Sequence, residues 1–362
     1  MNWTVNNPIN AVSGVSFDEA LRARYSPRHV LALLSPSMVK LGVKERLSGA
    51  FPAAQMYWHE ERINNPDIRQ IEEIAEAVAG LEIELIVAIG GGSIVDTAKV
   101  LAALLCEENG EILRELREAK PAKILRAIPV CAIPTTAGSG AECTQFATIW
   151  DLEEKKKYSL ESAKILPEYV ILDAALTLSL PQEQTLFTGM DALSHAVECL
   201  WNKIQNPLAI AYAKEAIGLI SKNLECVLKD PKNIAARAKM QNAAFLAGQA
   251  ISITKTAIAH AISYPLTYRY GVPHGLACSF SIPAIFELLK ARENPLKASN
   301  IEQIRSATEL IKKLELGAYL KRYLDEGQIM AMTAEMNNPQ RYKNFIIELK
   351  RGDLERILSK SI

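Results

Sequence analysis

Asp191 and His195 stand one helical turn apart in Gly189-Met190-Asp191-Ala192-Leu193-Ser194-His195-Ala196, and two more histidines follow, His260 and the one in Pro273-His274-Gly275. Three of the five histidines in the chain thus join a carboxylate in one set suited to metal ligation. On a helix, Asp191 and His195 point the same way and can reach one ion. One carboxylate and three imidazoles suit a borderline divalent cation such as Fe(II) or Zn(II), and four protein ligands leave room on iron for a substrate oxygen. The competing reading makes Asp191 a helix cap and the histidines separate core residues. It suits each histidine taken singly, whereas the motifs that accompany the set favour ligation.

Two glycine- and hydroxyl-rich loops follow apolar runs. Leu85-Ile86-Val87-Ala88-Ile89 leads into Gly90-Gly91-Gly92-Ser93 and then a helical stretch from Ile94. Such a junction offers bare N–H groups and the positive end of a helix dipole to a phosphate. It departs from the GxGxxG dinucleotide fingerprint, and a plain turn with Ser93 and Asp96 as a capping box is the simpler alternative. The second loop, Pro134-Thr135-Thr136-Ala137-Gly138-Ser139-Gly140, follows the run ending at Ile133. Two such loops at strand ends would bracket a dinucleotide.

The elements that must position these groups fall into two textures. Residues 29–34, 85–89 and 127–133 read as strands, with helical stretches at 39–47 and 94–105, which implies a parallel sheet covered by helices. After Tyr169-Val170-Ile171-Leu172-Asp173 the pattern becomes helical, over 208–228, 234–253 and 301–314. The expectation is an α/β nucleotide-binding domain over residues 1–181, an all-helical metal and substrate domain over 182–362, and a site in the cleft between them.

Charge is balanced at 41 basic and 41 acidic residues, which argues against a nucleic-acid or membrane partner held by a basic field. The six cysteines lie in apolar context without a CxxC pair and read as reduced core thiols. The N-terminus lacks a basic and apolar leader, and no apolar run approaches a membrane span, so a cytoplasmic protein is expected.

The stretches GGGSIVDTAK at 90–99, PTTAGSGAE at 134–142, TGMDALSHAVE at 188–198 and YGVPHG at 270–275 resemble, in order and spacing, the iron-containing (group III) alcohol dehydrogenases. The resemblance extends over nearly the whole chain. It implies a dehydroquinate synthase-like architecture, with a nucleotide domain, an all-α metal-binding domain and usually a homodimer or larger homo-oligomer. Carried over by position, Asp191, His195, His260 and His274 would hold Fe(II), with Zn(II) as the alternative. Gly91, Gly92, Ser93, Asp96, Thr135, Thr136, Ser139 and Lys157 would line an NAD(P) site. The chemistry implied is hydride transfer from the nicotinamide to a carbonyl polarised by the metal, reversible to alcohol oxidation. A metallohydrolase built on the same ligands is the rival of a different class, but it leaves both phosphate loops unexplained.

Departures from the family pattern bear on substrate. Four residues after the first histidine of the family's HxxxH element, a second histidine commonly serves as proton relay; here His260-Ala261-Ile262-Ser263-Tyr264 puts Tyr264 in that place. Tyr264 either donates a proton or packs the pocket wall. Lys255 flanks the face that carries Thr256 and His260, and Arg269 precedes Tyr270-Gly271-Val272-Pro273-His274. Together the two cations suggest a clamp for a small anionic aldehyde, and ion pairing elsewhere is the alternative for each. The 253–265 stretch resembles the phosphonoacetaldehyde reductases, with sulfoacetaldehyde a near-isosteric substrate. A short-chain alcohol dehydrogenase for neutral substrates is the runner-up. After the first strand, Leu34-Ser35-Pro36-Ser37 carries neither the acid that favours NAD nor an arginine, so either NAD(H) or NADP(H) fits, with NAD(H) marginally preferred.

Overall fold

The structure is a computed structural model that describes residues 8–362, apart from residues 64, 110, 119, 121 and 155 and the side chain of residue 340. The contacts of the described residues divide the chain into two units: 8–136 together with Ala141–Leu180, and Pro181–Ile362 together with Ala137–Gly140.

The first unit is built on a six-stranded parallel sheet in the order β1-β8-β5-β4-β2-β3. Its strands are β1 (Asn10–Ser13), β2 (His29–Leu34), β3 (Gln55–His59), β4 (Leu85–Gly90), β5 (Val130–Pro134) and β8 (Tyr169–Leu172). The central strands are apolar at almost every position because both faces are covered. Val30, Ala32, Leu34, Val87, Ile89 and Ile133 pack on one side, whereas Leu31, Leu33, Ile86, Ala88, Val130 and Ala132 pack on the other. An antiparallel hairpin, β6 (Phe146–Asp151) with β7 (Lys156–Glu161), stands apart from the main sheet. The sequence pattern did not reveal it.

Register aligns the ends of three strands. Leu34 pairs with Ile89 and Gly90 with Pro134, so the loops at 35–37, 91–93 and 135–136 leave the sheet at one edge. From β2 the chain moves outward to β3, and from β4 it moves the opposite way to β5. This divergence is a topological switch point, the place where open α/β sheets bind ligands. The helix expected over 39–47 is two, Pro36–Lys40 and Val43–Ala50, because Gly42 between them takes a left-handed φ of 71°.

The second unit is helical throughout. Gln182–Leu200, Pro207–Lys229, Ile234–Thr254 and Ile258–Tyr270 are its long inner helices. Asn206 starts one of them by accepting from the N–H groups of Leu208 and Ala209 at 2.9 and 3.2 Å, and Asn233 caps the next through Ala236 N–H at 3.0 Å. Their apolar faces, with Trp201 edge-on to Phe345 at 5.9 Å, form one core. Among the described residues no helix is long and apolar enough to cross a membrane.

One buried polar cluster lies between the Gly92–Leu104 helix and residues 142–148. Lys99 is fully buried and donates to Thr144 Oγ1 at 2.9 Å and the Phe146 carbonyl at 3.0 Å, with Asp96 Oδ1 at 3.5 Å. Burial lowers the Lys99 pKa and raises that of Asp96. Burial also pushes the neighbouring Glu142 from its ordinary 4.5 up to about 7, only partly offset by the Lys99 charge. The folded chain therefore holds this proton more tightly than the unfolded one. Its stabilising effect is complete below about 4.5 and is lost as pH rises through about 7. Glu142→Gln should thus flatten the pH dependence, gaining on the order of 2–3 kcal/mol over the parent at pH 8 relative to pH 5 in urea denaturation. Parallel pH profiles would contradict it.

Candidate metal centre and nucleotide loop

The Gln182–Leu200 helix brings Asp191, His195 and Glu198 to one buried face. Two close approaches let other segments reach it. A Cβ on Gly189 would lie 2.9 Å from Leu224 and 3.1 Å from Met240, and one on Gly275 would overlap the Phe187 carbonyl. Glycine at 275 thus lets the turn carrying His274 press against the helix carrying Asp191.

His260 is placed by Glu198. The Ile258–Tyr270 helix begins at Ala257, which has no side chain able to cap it. The Glu198 carboxylate takes that role from a different helix, accepting from Ala257 N–H at 2.9 Å, Ala259 N–H at 2.6 Å and His260 N–H at 3.3 Å. Negative charge at a helix N-terminus is favourable on both hydrogen-bonding and dipole grounds. The same carboxylate meets His260 Nδ1 at 2.7 Å, which fixes the ring and turns Nε2 toward Asp191.

The result is a convergent donor set. From Asp191 Oδ1 the Nε2 atoms of His195, His260 and His274 lie at 3.5, 3.8 and 3.8 Å. The His195 and His260 rings stack at 4.8 Å, and His274 meets His260 edge-on at 5.2 Å. Ligand bonds of about 2.0–2.2 Å imply neighbouring donor atoms about 3–3.5 Å apart, so a small contraction seats a cation. His260 Nε2 is buried and has no hydrogen-bond partner, the mark of a nitrogen that awaits a ligand.

The protonation states agree. Burial, followed by the charges of His195 and His274, drives the His260 pKa well below 6.5 and keeps its lone pair free. Burial opposes ionisation of Asp191, but the surrounding histidines outweigh it and hold the carboxyl below its usual range. Both groups are thus in the forms that bind metal.

Cys278, read from sequence as a core thiol, sits at the edge of this set. Its sulfur belongs with Asp191, His260 and His274 to a group of donor atoms within 4.8 Å of one another. Burial and the Asp191 charge push its pKa well above 9.0, and the thiol donates to Asp191 Oδ1 at 3.6 Å. A neutral thiol is a poor ligand. His195 Nε2, closer to the same oxygen, completes the set better, and Cys278 orients the carboxylate.

Around the cluster the sequence-predicted cations separate. Lys255 ends the preceding helix with φ 60° and ψ 174°, a costly conformation for a side-chain-bearing residue, at about 1–3 kcal/mol. The Asn202 amide holds it by donating to the carbonyls of Thr254 and Lys255 at 3.1 and 3.2 Å. Arg269 is half-exposed and pairs with Glu335 at 2.8 Å, which accounts for it without a substrate. A different guanidinium acts on the cluster. Arg341 lies 6.0 Å from the centre of the Tyr264 ring, and its charge bears on His260. Asn338 caps the short helix that carries it, accepting from Arg341 N–H at 3.2 Å, and Asn344 donates to the Thr256 carbonyl at 2.8 Å. Among the described residues Arg341 enters no ion pair.

In the sheet unit, Gly91 rather than Ser93 occupies the cap of the Gly92–Leu104 helix, and no side chain caps it. Asp96 instead accepts from Thr148 N–H at 3.0 Å. The capping-box alternative thus fails, and the first N–H groups of that helix are left for a ligand. Thr135 N–H donates to the Gly90 carbonyl at 2.9 Å, and Thr136 packs beside Gly91. Lys157 lies over Trp150 at 5.3 Å, and its charge acts on Asp96. Ser139 falls with the helical unit, where a Cβ on Gly138 or Gly140 would crowd Thr188 or Gly248. A cavity of about 320 Å³ opens beside the loop, lined by Ser35, Ser37, Arg62, Gly91, Gly92 and Ser93 among others.

Three residues went unnoticed in the sequence. Glu198 was legible, being three residues after His195 and seven after Asp191 on one helix face. Arg341 and Arg62 come from distant segments and carried no local signal.

Comparison with known proteins agrees with this architecture. The pattern of iron-containing alcohol dehydrogenases matches residues 16–174, and that of the Fe-containing alcohol dehydrogenase family, C-terminal, matches 185–347. The phosphonoacetaldehyde reductase of Streptomyces viridochromogenes is 37% identical over 59% of this chain and 55% of its own length. The sulfoacetaldehyde reductase of Bilophila wadsworthia is 33% identical over 68% of this chain and 64% of its own. Both matches span less than two thirds of those relatives. A probable alcohol dehydrogenase of Escherichia coli, EutG, is 32% identical over 72% of this chain and 68% of its own length. Among solved structures, the sulfoacetaldehyde reductase of Bifidobacterium kashiwanohense in complex with NAD+ superposes with a TM-score of 0.88 at 26% identity, over 100% of this chain and 98% of that one. With both halves matched in order, the chain belongs to the iron-containing alcohol dehydrogenase family.

Proposed function

We propose that this protein is a metal-dependent, NAD(P)H-linked reductase that converts a small anionic aldehyde, of the sulfoacetaldehyde or phosphonoacetaldehyde type, to its alcohol. The observation that carries the reading is the buried carboxylate with three converging Nε2 atoms, one of them an orphaned donor. Asp191, His195, His260 and His274 are the ligands in this reading, with Fe(II) favoured and Zn(II) the alternative. When bound, the cation supplies Lewis acidity toward a carbonyl oxygen and the reduced nicotinamide supplies the hydride.

The chain's own residues supply the rest. Gly91, Gly92, Ser93, Asp96, Thr135, Thr136, Ser139 and Lys157 would line the NAD(P) site in this reading. Tyr264, one turn beyond His260, passes a proton from its hydroxyl to the product oxygen and is reprotonated from water. Lys255 and Arg341 bind the anionic end of the substrate. Arg341 takes the part expected of Arg269, because Glu335 already neutralises Arg269. A guanidinium beside an aromatic face offers a sulfonate or phosphonate paired, charge-assisted hydrogen bonds. The reading extends to a cytoplasmic homodimer or larger homo-oligomer, which light scattering and cell fractionation check.

NADH and NADPH oxidation by Fe(II)-reconstituted and chelator-stripped protein, with phosphonoacetaldehyde, sulfoacetaldehyde and propanal at matched concentrations, tests the reaction. Metal-dependent turnover favouring an anionic aldehyde is expected. Equal activity after stripping would overturn the metal role, and preference for propanal would return the substrate to a neutral aldehyde. His260→Ala should lose metal and turnover together, and an active, metal-free variant would contradict the ligand assignment. Arg341→Ala should raise KM for the anionic aldehydes about 10- to 100-fold and that for propanal far less. Arg269→Ala should alter neither by more than about threefold, the range of a rim ion pair. A larger effect from Arg269 than from Arg341 would reverse the assignment.

A further inference from the structure

We propose that the cavity beside the Gly91–Ser93 loop receives the 2′-phosphate of an adenine dinucleotide, with Arg62 as its counter-ion, so that the enzyme takes NADPH in preference to NADH. The inference rests on the NAD(P)-linked reading above but not on the identity of the aldehyde.

The argument begins with position. β2 and β4 are the neighbours from which the chain diverges, and the cavity opens at their carboxyl ends. Ser35 N–H donates to the Ile89 carbonyl at 3.1 Å, which fixes the 35–37 turn against the root of the glycine loop. The free N–H groups at the start of the Gly92–Leu104 helix attract the pyrophosphate. A dinucleotide anchored there carries its adenosine ribose toward the end of β2.

The chemistry of that wall discriminates between the cofactors. NAD-selective dinucleotide sites place a carboxylate where it bonds the ribose 2′-hydroxyl, and a like charge there repels a 2′-phosphate. Here Ser35 stands there with Ser37 beside it, their hydroxyl oxygens 3.1 Å apart, and among the described residues no carboxylate lines the cavity. Among the described residues, the one ionised side chain on the lining is Arg62, from the segment that follows β3. Its backbone is held by Gln70, which donates to the Arg62 carbonyl at 3.2 Å. Among the described residues its guanidinium enters no ion pair, so its charge is available to a ligand. Two small hydroxyls, a forked cation and about 320 Å³ of space match a phosphate monoester on a ribose. The marginal preference for NAD(H) drawn from the 34–37 stretch is thereby reversed, because the discriminating residue comes from another strand's loop.

Calorimetric titration of the purified full-length protein with NADP+, NAD+, adenosine 2′,5′-bisphosphate and adenosine 5′-monophosphate tests this without turnover. Each 2′-phosphorylated ligand should bind about tenfold or more tightly than its partner, a gap that narrows as salt is raised. Arg62→Ala should bring each pair within about threefold, and Ser35→Asp should reverse the order in favour of NAD+. Wild-type affinity for NAD+ equal to or above that for NADP+ would overturn the proposal, as would an Arg62→Ala variant that weakens both by the same factor. Failure of all four ligands to bind would overturn the nucleotide reading itself. Tight NADP+ binding without aldehyde turnover would leave this proposal standing and remove the substrate assignment.

Discussion

The site depends on one buried carboxylate that is not among the proposed ligands. Glu198 closes the N-terminus of the helix that begins at Ile258 and holds the ring of His260 in the same stroke. Burial raises its pKa, and the N–H groups of Ala257, Ala259 and His260 counter that rise. Folding and ligand orientation are thereby coupled: the interaction that starts the helix also aims His260 Nε2. The strained turn at Lys255 is held against this point by Asn202 on one side and, through Thr256, by Asn344 on the other. The backbone conformation at Lys255 persists because its surroundings over-determine it.

Each unit meets a different physical requirement. A cation needs rigid side chains converging from several helices, and close helix packing at Gly189 and Gly275 provides that convergence. A dinucleotide needs bare backbone donors and space, and the aligned ends of β2, β4 and β5 provide those. The buried Lys99 and Asp96 tie the Gly92–Leu104 helix, which follows the glycine loop, to β6 and the turn before it.

Much of this was legible in the sequence because the signals were local. Asp191 and His195 share a helix face by spacing alone, and continuous apolar runs at β2, β4 and β5 marked a sheet covered on both sides. The four ordered motifs carried the family. What escaped reading arose from long-range encounters. The role of Glu198 required knowing that Ala257 starts a helix with no cap of its own. Arg269 drew attention by preceding the His274 motif while Arg341 carried no local signal, and only Glu335 and Tyr264, brought near by the fold, exchange their roles. The 34–37 turn was read without Arg62 because the two belong to adjacent strands separated by a crossover. The break at Gly42 was visible as a glycine, but apolar periodicity carried the expected helix through it.

Anomalous diffraction at the iron edge, from crystals of the protein loaded anaerobically with Fe(II), tests the central claim most directly. The account predicts a single peak about 2.0–2.2 Å from Asp191 and from the Nε2 atoms of His195, His260 and His274, with Cys278 outside the shell. A peak bound through Cys278 without His195, or no peak at this cluster in protein that is active, would contradict it.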